Sequence, residues 1–274
     1  MLQFLRRKVF NFRGYVGLGA AKGGRLDILK WMKENGYPME IDNNYWTLCY
    51  QAAKAGKLEV LQWAIKEGFE FFQEKMAGHH AAVAGHLDVL KWMKCNGFQI
   101  EIDKALGSLG YQAARNGHLH VLKWIKSEGI SLNKRICAAA AASSGDIEVL
   151  AFCKNNGCVL EKDTLLNAVR TGNLDIVKYC IDFIECPRND ESLCIAAVNS
   201  GNLECLKFVR SYGAPWGKWT CNATVRHGNL PMLKYALENG CPWDPDIYNI
   251  AKPVVLNTKG NELLRYLEEK NLQN

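Results

Sequence analysis

The stretch that decides the fold is Gly-His-Leu-Asp-Val-Leu-Lys-Trp, residues 85–92. Variants of it recur along the chain, and in seven copies a second glycine follows the first after twelve residues. These glycine pairs are Gly24 and Gly36, Gly56 and Gly68, Gly85 and Gly97, Gly117 and Gly129, Gly145 and Gly157, Gly201 and Gly213, and Gly228 and Gly240. An eighth copy begins at Gly172 and has Ile184 in place of its second glycine. Self-similarity at a period of about 27 to 32 residues is typical of stacked helical repeats.

Each copy predicts a helix between its two glycines. In the copy at Gly85 the apolar positions form the broad stripe of a helix that is buried on more than one side. An acid at the third position and a lysine at the sixth predict solvent-facing pairs, each contributing about 0.2–0.5 kcal/mol. The second glycine predicts a left-handed C-terminal stop. An aromatic residue at the seventh position is interpreted as core between neighbouring helices, and this row comprises Trp31, Trp63, Trp92, Trp124, Phe152, Tyr179, Phe208 and Tyr235.

A shorter helix of about two turns is predicted to precede each first glycine. A pair of small residues near its end, such as Ala52-Ala53, lets the two helices approach closely. The expected N-caps of these first helices are Thr47, Ser108, Thr164, Ser192 and Thr220. Neither helix can bury its apolar stripe alone, so neighbouring repeats must stack.

Composition narrows the classes of protein that fit. An apolar fraction of 48% is ample for a core, and a net charge of +6 permits an acidic partner without demanding nucleic acid. The eleven cysteines are odd in number and contain no Cys-x-x-Cys pair. We therefore interpret them as buried free thiols rather than as a metal site, and expect a reducing, cytoplasmic location. No apolar run approaches the ~18 residues that cross a bilayer.

The repeat pattern predicts one solenoid over residues 1–274. We expect a partial half-repeat at 1–14, about eight repeats over 15–248 and a capping repeat at 249–274. The first 26 residues are basic and acid-free, but they lack Ser and Thr, unlike most targeting segments. Residues 2–6 also align with residues 61–65 of a later repeat, which favours the half-repeat.

The small pair, the Gly-His-Leu-Asp-Val-Leu-Lys stretch and the later glycine resemble the ankyrin repeat. Gly-Ala-Pro-Trp at 213–216 and Gly-Cys-Pro-Trp at 240–243 resemble its divergent, tryptophan-bearing form, abundant in large DNA viruses and protists. The family's Thr-Pro-Leu-His opening is absent, and several repeats span 27 to 29 residues instead of about 33. The resemblance implies an all-α, helix-turn-helix repeat solenoid, and the short spacing implies shortened or missing β-hairpin fingers.

Nothing in the sequence supports an enzyme. His118 and His120 stand two apart on a helix, point in different directions and are poor metal co-ligands. The glycine-rich residues 17–24 follow no strand and lie in first-helix register, which disfavours a phosphate loop. We expect no catalytic residue, no cofactor and no metal.

The resemblance instead implies a protein–protein interaction module, or scaffold. Its concave face would be lined by the first helices and by the connectors, the segments that join one repeat to the next. Five residues before the first glycines stand the polar side chains Gln51, His80, Gln112 and Asn167. Two residues before them stands a basic row of Lys22, Lys54, Arg115, Arg170 and Arg226, which is either a contact row or an ordinary solvated face. Four tryptophans are assigned to connectors, where they either pack against the β-hairpin fingers or anchor a partner. They are Trp46, Trp216, Trp219 and Trp243.

Two other functions compete with this prediction. The basic row also suits a nucleic-acid-binding repeat protein, although we consider nucleic acid the less favoured partner. Related repeat proteins serve as substrate adaptors in ubiquitin ligation, a role that would need an F-box segment not found in this sequence. Our expectation is a monomer that binds a protein of unknown identity, away from membranes, in the cytoplasm (a host cytoplasm if the chain is viral).

Overall fold

A computed structural model shows an all-helical protein. It describes residues 15–39, 47–71, 74–100, 109–129, 132, 136, 138–140, 146–184, 191–242, 247–251 and 260–271. No residue in these ranges lies in a β-strand, in agreement with an architecture of helix-turn-helix repeats. The half-repeat predicted at 1–14 lies outside the described residues. The chain divides into two compact units, Met1–Leu132 and Asn133–Asn274.

Four helix pairs are described in the first unit. They are α1 (15–23) with α2 (Leu26–Glu34), α3 (Leu48–Lys54) with α4 (Leu58–Lys66), α5 (Glu74–Ala84) with α6 (Leu87–Cys95), and α7 (Leu109–Arg115) with α8 (Leu119–Ser127). The first helices of successive pairs pack side by side, α3 against α5 and α5 against α7. Fully buried alanines such as Ala52 and Ala82 line these contacts and allow the close approach that the small pairs predicted.

The second unit repeats the arrangement. Its helices are α9 (described at 136 and 138–140), α10 (Ile147–Asn155), α11 (Lys162–Thr171), α12 (Leu174–Ile181), α13 (Ser192–Ser200), α14 (Leu203–Ser211), α15 (Lys218–Arg226), α16 (Leu230–Glu238), α17 (Ile247–Ala251) and α18 (Gly260–Asn271). Among the first helices α11 packs on α13, α13 on α15 and α15 on α17. In α18, Leu263 and Leu267 are buried, whereas Glu262 and Arg265 are exposed.

Glycine turns end the helices, as predicted. At the end of α2 the Gly36 N–H donates to the Lys33 carbonyl, and the Tyr37 N–H donates to the Met32 carbonyl at 2.9 Å. This pair of bonds is a Schellman motif, which requires a left-handed residue, and Gly36 has a φ of 66°. The repeat without a second glycine ends differently, because α12 stops at Ile181 and its C-cap Asp182 has a right-handed φ of −62°.

The aromatic row is less buried than predicted. Trp124 is buried at 7% exposure, Trp31 is 54% exposed and the other six rings are half-buried. The core interpretation is therefore confirmed for Trp124, wrong for Trp31 and only partly right for the other six. In three repeats the ring contacts the aromatic residue that follows the second glycine. The pairs and centroid distances are Trp31–Tyr37 at 5.2 Å, Trp63–Phe69 at 5.9 Å and Trp92–Phe98 at 5.5 Å. These contacts are the apolar side of the Schellman turns.

Only one predicted N-cap takes that role among the described residues. Thr47 accepts a hydrogen bond from the Tyr50 N–H at 3.3 Å. The other N-cap predictions are wrong because those helices begin earlier in the chain, and Thr164, Ser192 and Thr220 lie inside them. Ser108 lies outside the described residues.

The described cysteines are free thiols, and all of them except Cys95 are buried. Burial of this kind is what the packing interpretation predicted. No helix in the described part of the chain is long and apolar enough to cross a membrane.

Candidate interaction surface

The predicted polar and basic positions lie in the last two turns of the first helices. Side chains three apart on a helix share a face, so the positions two and five residues before the glycine lie one above the other. Because first helices pack side by side within each unit, equivalent positions of neighbouring repeats fall into rows.

In the first unit the structure brings Lys54 and His80 together. The Lys54 Nζ lies 5.8 Å from the centroid of the Tyr50 ring, and that ring meets the His80 ring edge-on at 5.9 Å. Burial lowers the pKa of His80, and the positive charges of Lys54 and His79 lower it further. A neutral imidazole, a phenol ring and an ammonium group therefore form one cluster that joins α3 and α5.

The remaining candidates of the first unit flank this cluster. Gln51 and Gln112 are half-buried, and Lys22 and Arg115 are exposed. Val83 holds the equivalent basic position in α5, so the row is interrupted between Lys54 and Arg115.

In the second unit Arg170 of α11 and Arg226 of α15 are exposed on either side of α13. Neighbouring helices lie about 8–10 Å apart, so the two arginines stand two such spacings from each other. The equivalent position in α13 is Asn199, whose Oδ1 accepts a hydrogen bond from His227 Nε2 at 2.9 Å. Asn167 has a role within the fold, because its Nδ2 donates to the Ala138 carbonyl at 3.4 Å.

The basic row differs from the lysines of the second helices in its surroundings. In the described part of the chain no ion pair includes Lys22, Arg115, Arg170 or Arg226. The ion pairs seen there join Arg25 to Asp27, Lys33 to Glu67, Lys94 to Glu128 and Lys207 to Glu204. The last pair, at 2.8 Å, is the one acid–lysine pair of the predicted kind in the described part of the chain, where Lys30, Lys91 and Lys178 form no such pair with the acid three residues earlier. Acids thus pair with the second-helix lysines Lys33, Lys94 and Lys207, whereas in the described part of the chain no acid pairs with Arg115, Arg170 or Arg226.

The two described candidate tryptophans differ in their contacts. Trp216 Nε1 donates to the Asn239 carbonyl at 3.0 Å, and its ring lies under the Arg210 guanidinium at 4.2 Å. These contacts hold the connector against α14, which carries Arg210, and against the end of α16 in the next repeat. Trp219 is 48% exposed, and its contact with Lys218, whose Nζ lies 5.1 Å from the ring, leaves much of the indole in solvent. It belongs to α15 rather than to a connector, which corrects its predicted placement. Trp46 and Trp243 lie outside the described residues.

Sequence reasoning missed Tyr50 and Asn199 as members of these clusters. Tyr50 stands four residues before Lys54, a spacing that places the two side chains on one helix face. Asn199 occupies the same repeat position as Arg170 and Arg226. Aligning every repeat position, and not only the charged ones, would have identified both. No group of three or more metal-ligating side chains occurs among the described residues.

Comparison with known proteins agrees with this architecture. The family model for ankyrin repeats in three copies matches residues 18–105. The chain is similar to the crystal structure of the human ASB11 ankyrin repeat domain, at 17% identity and a TM-score of 0.50, over 60% of this chain and 84% of that one. No curated protein matches the sequence.

Proposed function

We propose that this chain, which carries ankyrin repeats, is a scaffold that binds an acidic segment of a partner protein along its first helices. Ankyrin repeats are generally protein–protein interaction modules. The observation that carries the proposal is that exposed arginines at this repeat position, Arg115 in the first unit and Arg170 and Arg226 in the second, have no acid partner in the described part of the chain.

The chemistry of the row suits carboxylates. An arginine guanidinium presents a planar fork of donors that can hold a carboxylate through two hydrogen bonds. Arg170 and Arg226 stand two helix spacings apart, so a partner must present acids about 16–20 Å apart to engage both. Exposed Trp219 lies on the same helix as Arg226 and offers an amphipathic ring that can anchor the partner.

We further infer that binding is the whole activity of the chain. The ankyrin fold is typically a non-enzymatic scaffold, and a contact surface built from repeated helices needs no catalytic group, cofactor or metal. The same proposal makes the protein monomeric and cytoplasmic. It also makes residues 1–274 one array, on whose concave face the partner docks.

A charge-reversal experiment with a matched control tests the docking face. Partners are captured from native cells and identified by mass spectrometry, and binding is then measured with purified proteins. Reversal of Arg115, Arg170 and Arg226 to Glu is expected to abolish binding and to leave the circular-dichroism melt almost unchanged. Reversal of the exposed second-helix lysines Lys91, Lys123 and Lys178 makes the same change in net charge and is expected to retain binding. Binding that survives the arginine reversal, or is lost equally in both triples, contradicts the proposal.

Nucleic acid is the competing partner, because phosphates also attract an arginine row. A protein that neutralises several phosphates loses affinity steeply as salt rises. Micromolar, salt-steep binding to generic duplex or single strands, together with no recovered protein partner, would favour nucleic acid over the protein scaffold.

A further inference from the structure

Two buried cysteines pack in one apolar cluster of the second unit. Cys221 lies in α15 and is fully buried, and Cys241 follows Gly240 at the end of α16 and is 5% exposed. Both belong to the apolar cluster that includes Leu233 of α16 and Leu263 of α18. The Cys241 S–H lies 3.6 Å from the Gly217 carbonyl at the start of α15, the helix that carries Cys221, and 3.7 Å from the Pro242 carbonyl.

The repeat architecture itself creates this contact. In two other repeats a cysteine early in the first helix donates to the carbonyl of the residue twenty positions later. Cys49 donates to the Phe69 carbonyl at 3.7 Å, and Cys194 donates to the Ala214 carbonyl at 3.8 Å. The fold therefore places the start of a first helix against the residue that follows the second helix. Cys221 and Cys241 are the one pair of cysteines in the sequence with this separation.

The surroundings make the two sulfurs chemically unequal. The pKa of Cys241 is lowered, mainly because the Cys221 S–H donates to it, and the positive charge of Arg210 adds to this effect. Burial and the nearby Glu191 carboxylate oppose it. The pKa of Cys221 is raised by the same hydrogen bond and by burial. Cys241 is also the less buried of the two residues, at 5% exposure against 0% for Cys221, so we assign it the role of the nucleophilic thiolate.

We propose that Cys221 and Cys241 form an oxidant-reactive dithiol site that takes a small peroxide and closes to a disulfide. The Cys241 thiolate attacks one oxygen of hydrogen peroxide, the O–O bond breaks, and the departing hydroxide takes up a proton as water. Cys241 is then a sulfenic acid. The Cys221 sulfur attacks the Cys241 sulfur, the S–O bond breaks, and the oxygen leaves as a second water with the Cys221 proton. Overall two thiols lose two hydrogens and one peroxide becomes two waters.

Closing this disulfide would tie α15 to the segment after α16. The apolar cluster around the pair also includes Ile247 of α17 and Leu267 of α18. A cross-link restricts the unfolded chain more than the folded one, so oxidation is expected to stabilise this part of the unit. We expect the oxidised protein to melt at a higher temperature than the reduced protein.

The primary test uses the reduced, folded full-length chain and hydrogen peroxide. After oxidation the remaining thiols are alkylated in denaturant, and the protein is digested with trypsin. The expected product joins the peptide 219–226 to the peptide that begins at Tyr235, with a mass lower by two hydrogens. The number of alkylated thiols should fall by two per chain, and a reductant should restore both. Absence of this cross-link in the folded protein, or the same yield from the denatured chain, overturns the proposal.

One variant tests the placement of the two cysteines, a second tests their chemical roles, and a third serves as a control. Ala214→Cys introduces a thiol at the position opposite Cys194, and under the same oxidant it is expected to form a second cross-link, from Cys194 to the introduced thiol. Cys221→Ser removes the resolving thiol, so the sulfenic acid should accumulate on Cys241, where dimedone traps it. Cys205→Ser, at a buried cysteine outside the pair, should leave the Cys221–Cys241 cross-link intact. A dimedone adduct that forms on other cysteines and not on Cys241 would contradict the assigned roles.

Discussion

The residue after the first glycine of a repeat behaves differently in the two units. In the first unit this position holds Arg25, Lys57, His86 and His118, and none of these side chains caps the second helix that follows it. In the second unit it holds Asp146, Asn173, Asn202 and Asn229, and every one of them caps its helix. The same turn is therefore completed by different interactions in the two units.

In the first unit the two histidines, His86 and His118, reach back to the preceding repeat. His118 Nε2 donates to the Val83 carbonyl at 2.8 Å, and its ring covers Gly85 so closely that a Cβ there would lie 2.7 Å from Nδ1. His86 covers Gly56 in the same way. In the second unit the Asn202 Oδ1 caps α14 by accepting from the Glu204 N–H at 3.0 Å, while its Nδ2 donates to the Gly172 carbonyl at 2.7 Å. Asparagine thus combines the cap with the contact between repeats, whereas histidine makes only the contact.

The largest expected effect comes from the core, where the two units are alike. Leu90 and Leu206 hold the same repeat position and are fully buried. Leu90→Ala and Leu206→Ala are each expected to lower the free energy of unfolding by about 2–5 kcal/mol, because each leaves a cavity. Chemical denaturation followed by circular dichroism measures the loss.

Gln62→Ala, at an exposed position of α4, serves as the control and should change stability by less than about 0.5 kcal/mol. If one leucine variant were as mild as this control, the two units would differ in their cores as well as in their turns.

The second prediction isolates the histidine contact. Gly85 and Gly201 have φ values of 77° and 74°, so alanine at either position incurs a left-handed strain of about 1–2 kcal/mol. A Cβ at Gly201 meets nothing within 4 Å, whereas a Cβ at Gly85 meets the His118 ring. Gly85→Ala is therefore expected to be more destabilising than Gly201→Ala by about 1–3 kcal/mol, the usual penalty of overpacking.

A double variant tests the cause of that difference. With His118→Ala already present, the extra destabilisation caused by Gly85→Ala should disappear. Gly85→Ala and Gly201→Ala should then lower the free energy of unfolding equally in denaturation experiments. If the excess persisted without the imidazole, the ring would not be its source.

Contacts between side chains of different helices mark the limit of what the sequence could predict. Glycine spacing and the apolar stripe predicted the paired helices and the left-handed stops, since both depend on neighbours along the chain. The exposure of the Trp31 ring depends on which other elements cover its face of the helix. Periodicity shows the face on which a side chain lies but not whether another element covers that face. The register of the glycines placed Lys54 and His80 three positions apart on the same face of neighbouring first helices, but the Tyr50 ring between them and the bond from Trp216 to Asn239 needed coordinates.

The third prediction compares the two kinds of turn residue directly. Asn202→Ala removes a helix cap and a bond to the preceding repeat, and we expect a loss of about 1–2 kcal/mol. His118→Ala removes one hydrogen bond to a backbone carbonyl, for which about 0.5–1.5 kcal/mol is typical. Asn202→Asp is the matched control, because a carboxylate can cap α14 but cannot donate to the Gly172 carbonyl. Its stability, measured by denaturation, should fall between the wild type and Asn202→Ala, and a greater loss for His118→Ala would reverse the expected order.

The smallest expected effect is a dependence on pH that is concentrated in the first unit. Burial lowers the pKa of His86 and of His80, and in both cases positive neighbours add to the lowering, while Asp88 opposes it at His86. The unfolded chain therefore binds these protons more readily than the folded chain, so stability is complete above the usual histidine pKa of about 6.5 and falls as the pH drops below it. Between about pH 7 and pH 5.5 the carboxylates Glu67 and Glu128, whose pKa values are lowered by lysine partners, stay ionised and do not contribute.

Hydrogen exchange measured by peptide, corrected for the intrinsic rates, should show a loss of protection in α5 and α6 over this interval. His80→Gln with His86→Asn should remove that loss, because neither substitute titrates there. An equal loss in α13 and α14, whose own residues include no histidine, would show that the acid sensitivity comes from groups other than the His80 and His86 imidazoles.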